Sequence, residues 1–184
     1  MHRLSVLFLA LSFAILTSCA GPATTTQQSQ ASEQQEEVEE YPSWYGSQTV
    51  VHSDSHIHAY ATAVDDDSAG AVRKAVQWAE SEIRSSVSDR LEAIRSEAAV
   101  EYGSEYGLDS SRFLIALRKA DNAVPPLVRT KNTEVKTVEG YSSKRSFAEI
   151  SVSKKELIER IGKRLAGYEK AWNAMKESKA FKNF

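Results

Sequence analysis

The chain is predicted to fold as an α+β protein, a small antiparallel sheet of about three strands packed by a long alanine-rich helix and a C-terminal helix. Three patterns carry that expectation. Between Ser68 and Tyr102 apolar residues recur every three or four positions, the spacing of one helix face. Around Thr49 to Val64, and again from Thr133 to Val152, they alternate as in a strand with one buried side. A further helical stripe runs from Leu157 to Met175.

The first residues are expected to lie outside that fold. Met1, His2 and Arg3 make a short basic start, and the 13 residues from Leu4 to Leu16 carry no charge. Crossing a bilayer as a permanent helix takes roughly 20 residues, so this run is too short to span. Small residues then lead to Cys19, which completes the layout of a signal peptide over residues 1–18. The tetrad Leu16-Thr17-Ser18-Cys19 resembles the bacterial lipobox, and that resemblance implies lipidation of Cys19: a diacylglycerol on its sulfur, cleavage before it, and acylation of the new amino terminus. The alternative is an ordinary secretory cleavage site. That would export an unpaired thiol, because Cys19 is the one cysteine of the chain. A single acyl chain holds a protein to a membrane only marginally, whereas two or more anchor it stably.

Residues 19–40 read CAGPATTTQQSQASEQQEEVEE, with five glutamates, no basic residue and no aromatic. Such a stretch cannot bury enough apolar surface to offset its ordering entropy, so it is predicted to be a disordered acidic, glutamine-rich tether. Its 22 residues span roughly 25 Å as a flexible chain. The single domain is then residues 41–184, with 22 Lys and Arg against 20 Asp and Glu. That near balance argues against nucleic acid as a partner, which calls for a strongly basic face.

Each element has a local reason. Aromatics first appear at Tyr41-Pro42-Ser43-Trp44-Tyr45, where Pro42 fixes an extended approach, and a strand with a bend follows from Thr49 to Val64. Asp65, Asp66, Asp67 and Ser68 are helix-start residues, whose short oxygen-bearing side chains cap free amides at the positive end of the dipole. The helix from Ser68 presents Val72, Val76, Ala79, Ile83, Val87, Leu91, Ile94 and Ala98 on one face and ends at Gly103 or Gly107. Asp109-Ser110-Ser111 caps a shorter helix with Phe113, Leu114 and Leu117, which stops before Pro125-Pro126. Strands Thr133–Ser142 and Lys144–Val152 form a hairpin, and Ser153-Lys154-Lys155-Glu156 is a capping box that opens the final helix. At about 50 Å the first helix outruns strands of about 20 Å. Leu91, Ile94 and Ala98 therefore need a cover, from the two later helices or from a second copy in a homo-oligomer.

The lipobox at Cys19, the Pro42-Ser43-Trp44-Tyr45 segment, the strand Ile57-His58-Ala59-Tyr60-Ala61-Thr62-Ala63 and the helix AGAVRKAVQWAESEIRSSV from Ala69 to Val87 together resemble the LPP-twenty-like bacterial lipoproteins, which include flagellum-associated outer-membrane members. The likeness covers most of residues 41–102 and extends loosely through Tyr141 to Val152 and the helix after it. It implies a compact α+β domain on the periplasmic side of an envelope membrane, with structural or assembly roles, no enzymatic activity and no catalytic residue. The Lys-rich tail to Phe184 departs from the family pattern. Ala20 lacks the acidic character of inner-membrane retention signals, by resemblance to known sorting signals, which favours the outer membrane.

For chemistry, the sharpest constellation is His52, Asp54, His56, His58 and Tyr60, because residues two apart share a strand face. His56 and His58 suit a shared metal ion, with imidazole nitrogens at about 2.0 Å from zinc. On a straight strand His52 lies about 13 Å from His56, so it joins them only through a bend or a neighbouring strand. A solvated polar sheet face accounts for the same residues, and a pH-sensing histidine is a third reading, with Asp54 as its one visible carboxylate partner. Asp65-Asp66-Asp67 lacks the spaced oxygens and turn glycine of a calcium loop. Neither a Gly-x-Ser-x-Gly elbow nor a phosphate loop is present, so no cofactor or small-molecule substrate is implied. Lys154, Lys155, Arg160, Lys163 and Arg164 make a basic helical surface suited to solvent, anionic lipid or peptidoglycan. The sequence therefore points to a non-enzymatic, lipid-anchored envelope lipoprotein acting through protein contacts, with a periplasmic metal-binding module as the alternative.

Overall fold

The computed structural model describes residues 41–184. The signal segment 1–18, Cys19 and the tether 19–40 lie outside the described residues. The predicted α+β class holds, with a correction to strand number: the sheet has four antiparallel strands in the order β1-β2-β4-β3. They are β1 (Val50–His52), β2 (His56–Asp65), β3 (Arg129–Thr137) and β4 (Lys144–Ser153), and they are joined by α1 (Ser68–Tyr102), α2 (Ser111–Arg118), α3 (Lys154–Arg164) and α4 (Glu169–Glu177).

The extra strand comes from the bend predicted within Thr49 to Val64. The Ser53 hydroxyl accepts from the His56 amide at 3.0 Å, and the Ser53 amide donates to the His56 carbonyl at 2.9 Å, which reverses the chain into a β1–β2 hairpin. The polar residues at 53–55 supply that turn chemistry. The β3–β4 hairpin turns at Gly140, with φ 76° in the left-handed region where a Cβ is unfavourable, so β3 ends at Thr137 and not at Ser142.

α1 matches the predicted bounds. The Asp67 carboxylate accepts from the Gly70 amide at 2.8 Å, and Gly103 ends the helix at φ 76°. Its buried line is Ala71, Ala75, Ala79, Ile83, Val87, Leu91, Ile94 and Ala98, with Val72 and Val76 half-buried at the flank. Alanine takes the centre where the helix lies on the sheet, since Ala75 packs with Ala63 and Ala148 and no larger side chain separates the backbones. Toward its end the line switches to Ile, Val and Leu. There Leu91, Ile94 and Ala98 join Leu108, Phe113, Leu165, Trp172, Met175 and Phe184 in the main core. The distal half is thus covered within the chain, and the need for a second copy over it falls away.

The predicted single final helix is two. Ser153 caps α3 as expected, but Gly167, at φ 96°, ends the run, and the Glu169 carboxylate accepts from the Gly167 amide at 2.8 Å to start α4. The break lets Trp172 fold back against Gly162, where a Cβ would stand 3.0 Å from the indole nitrogen. In a continuous helix those residues would be about 15 Å apart.

Candidate functional site

With α1 on one side, the other side of the sheet carries every second residue of β2: His56, His58, Tyr60 and Thr62 are half-buried, while Ile57, Ala59, Ala61 and Ala63 are buried toward the helix. Register brings Tyr60 opposite Glu149 on β4 and Asn132 on β3 opposite the same Glu149. Cross-strand partners share a face, so three strands converge on one carboxylate.

Glu149 is only 9% exposed. Its Oε2 accepts from Asn132 Nδ2 at 2.6 Å; its Oε1 is 3.0 Å from His58 Nδ1 and accepts from the Tyr60 hydroxyl at 3.4 Å. An ionised carboxylate only accepts, so His58 Nδ1 carries the proton of that bond, and in the neutral ring with that tautomer Nε2 keeps its lone pair. Burial, and then the charge and hydrogen bond of Glu149, push the Tyr60 phenol above its usual range. One end of this face is roofed by aromatics. Tyr45 and Tyr41 each pack on Phe147 at 5.6 Å between ring centroids, and Tyr45 lies 5.7 Å from Tyr60. The Tyr45 amide donates to the Pro42 carbonyl at 2.8 Å, closing the turn that holds those rings in place. Gly46 leaves room for the Tyr60 ring: a Cβ would stand 2.6 Å from it, so a larger residue would push the ring aside.

The predicted five-residue constellation separates. His56 and His58 do share a face, with ring centroids 6.0 Å apart, and His56 Nδ1 is 2.9 Å from the Ser55 hydroxyl. His52 does not join them. The hairpin pairs it with Ile57, which puts it on the helix side, where its Nε2 is 2.9 Å from the Ser86 hydroxyl of α1. Burial first, then the charges of Arg90 and Lys154, hold its imidazole below the usual histidine range. Asp54 sits exposed in the turn. Among the described residues no three His, Cys, Asp or Glu side chains gather as a set that could hold a metal ion.

The other candidates have structural partners. Asp67 caps α1, and Asp65 pairs with Lys74 at 2.9 Å, a contact that, with the Asp66 amide, holds the Asp65 carboxyl below its usual range. On α3 the basic residues alternate with Glu156 and Glu159, and these acids share an open groove with Arg160, Lys163 and Arg164. That surface is mixed in sign rather than basic.

Sequence reasoning missed Glu149 and Asn132. The available signal was one acid between Ala148 and Ile150 in an otherwise uncharged run, but only register shows what faces it. No family model, curated protein or solved structure matches the chain. Among the described residues no helix is long and apolar enough to cross a membrane.

Proposed function

We propose that this chain is a non-enzymatic, lipid-anchored lipoprotein of the bacterial envelope, of the LPP-twenty-like kind, whose domain faces the periplasm and acts through protein contacts in a structural or assembly role. The observation that carries the reading is Cys19, placed directly after an uncharged run of 13 residues and two small residues. Its support is organisational: residues 19–40, 22 residues without an aromatic or basic side chain, stand between the uncharged run with its two small residues and the aromatic segment that begins at Tyr41. The membrane is reached through the N-terminal lipid, and the character of Ala20 favours the outer membrane. A partner surface on the distal half of α1 forms no part of the proposal, because Leu91, Ile94 and Ala98 are buried within the chain.

Mass spectrometry of the membrane fraction tests it. The mature species is expected to begin at Cys19 and carry a diacylglycerol thioether and an amide-linked acyl chain, and Cys19→Ser is expected to accumulate as a longer, unlipidated precursor. An unchanged mature mass in the variant would overturn the anchor. Crosslinking in intact cells addresses the second half of the reading, with discrete protein adducts that disappear in the Cys19→Ser strain as the expected result.

A further inference from the structure

We propose that His56 and His58 form an open two-histidine site for a divalent transition-metal ion, with Glu149 as the carboxylate that positions His58. Three observations converge on it. First, both rings stand on the solvent side of β2 with centroids 6.0 Å apart. A zinc–nitrogen bond of about 2.0 Å puts a ring centroid roughly 3.2 Å from the ion, so two rings sharing a tetrahedral ion stand about 5 Å apart. The observed spacing exceeds that by about 1 Å.

Second, each ring is already held by its other nitrogen. His58 Nδ1 bonds the Glu149 carboxylate at 3.0 Å and His56 Nδ1 lies 2.9 Å from the Ser55 hydroxyl. Histidine ligands are commonly fixed by a carboxylate, backbone carbonyl or water on the nitrogen away from the metal, which selects the tautomer and raises the basicity of the ligating nitrogen, and Glu149 stands in that place for His58. Glu149 is itself oriented by Asn132 at 2.6 Å, so the support does not depend on a mobile side chain.

Third, both rings are only half-buried. His56 also lines an open groove in which the acids Asp54 and Glu159 stand among Lys154, Lys155 and Lys182, while His58 lies outside that groove. Imidazole ligands suit zinc, copper and nickel over magnesium or calcium. Because no third His, Cys, Asp or Glu is placed to complete a set among the described residues, the remaining coordination positions belong to water.

Isothermal titration of the purified full-length chain with zinc chloride, after removal of trace metal, tests the site. The expected result is one zinc per chain, abolished by His56→Ala and by His58→Ala, unchanged in His52→Gln, and weakened about 10- to 100-fold in Glu149→Gln through loss of ligand orientation. Circular dichroism establishes that each variant is folded. Should His58→Ala fail to fold, His56→Ala and His56→Gln decide the matter, since the His56 imidazole meets only the Ser55 hydroxyl and the His58 ring, and its bonds to Ser53 are made by the backbone. No saturable zinc uptake, uptake indifferent to both histidines, or dependence on one of them alone overturns the two-histidine site and leaves Glu149 as the centre of a purely structural cluster.

Discussion

At the scale of the residue, the two sides of the sheet treat their histidines in opposite ways. His58 is matched to an acceptor carboxylate, whereas His52 is enclosed beside cations: Arg90 and Lys154 both disfavour its charged form, with burial the larger cause and Asp54 the nearby opposing charge acting on Lys154. The sign of the consequence follows from linkage. Unfolded, His52 titrates near pH 6.5 or so; folded, it titrates lower, so the unfolded chain takes up the proton first and stability present above about pH 6.5 is lost as pH falls toward the folded value. We therefore expect urea unfolding to show a steeper loss of stability between about pH 7 and pH 5 in the native chain than in His52→Gln, which keeps a polar group near Ser86 but cannot charge. Equal slopes would show that His52 is not the group responsible. Glu149 belongs to the same scale for a different reason: it is the buried member of its cluster, and its three donors, half-buried His58 and Tyr60 and exposed Asn132, are what satisfy its carboxylate. The Tyr60 bond, at 3.4 Å, is the weakest of the three.

At the scale of the element, α1 shows how side-chain size sets distance. Ala75 is fully buried against Ala63 and Ala148, so the helix can approach the sheet only while that position stays small. Ala75→Leu is expected to destabilise by about 1–3 kcal/mol through overpacking, whereas Val72→Leu at the half-buried flank should change little. Denaturant midpoints check this, and equal effects at the two positions would remove the close-approach account. The bounds of α1 were legible in the sequence because cap chemistry at Asp67, a sustained period and Gly103 all agree. The break between α3 and α4 was not, because Leu165, Tyr168 and Trp172 keep a three-or-four spacing straight through Gly167. Periodicity reports which residues are apolar, not whether the axis continues. The same limit applied to the site: strand parity placed His56, His58 and Tyr60 on one face, but His52 changed sides when the chain reversed at 53–55. Glu149 met His58 and Tyr60 only through register between strands far apart in sequence, and Asn132 joined it through the register of the β3–β4 hairpin.

At the scale of the whole molecule, the question is what closes the far end of a 35-residue helix. The sheet accounts for the alanine half, and the later helices account for the rest: Phe113 and Leu117 from α2, Leu165 beyond α3, and Trp172 and Met175 from α4 gather over Leu91, Ile94 and Ala98. Phe181 and Phe184 stack on each other at 5.4 Å, and Phe181 meets Trp172 edge-on at 5.6 Å, so the chain's last residues belong to that cover. Leu91 is 1% exposed and therefore a core position, not an interface one. Losing a buried leucine costs about 2–5 kcal/mol, and a carboxylate left in its place adds the penalty of an unpaired buried charge. Against a total stability of about 5–15 kcal/mol this is a large fraction. Leu91→Asp, introduced into residues 41–184 expressed alone, is thus expected to lower the unfolding temperature sharply or abolish folding, with light scattering giving the same oligomeric state for whatever folded fraction remains. A variant that stays fully folded while an oligomer falls apart would place Leu91 at a subunit interface and break the account of a self-covered helix.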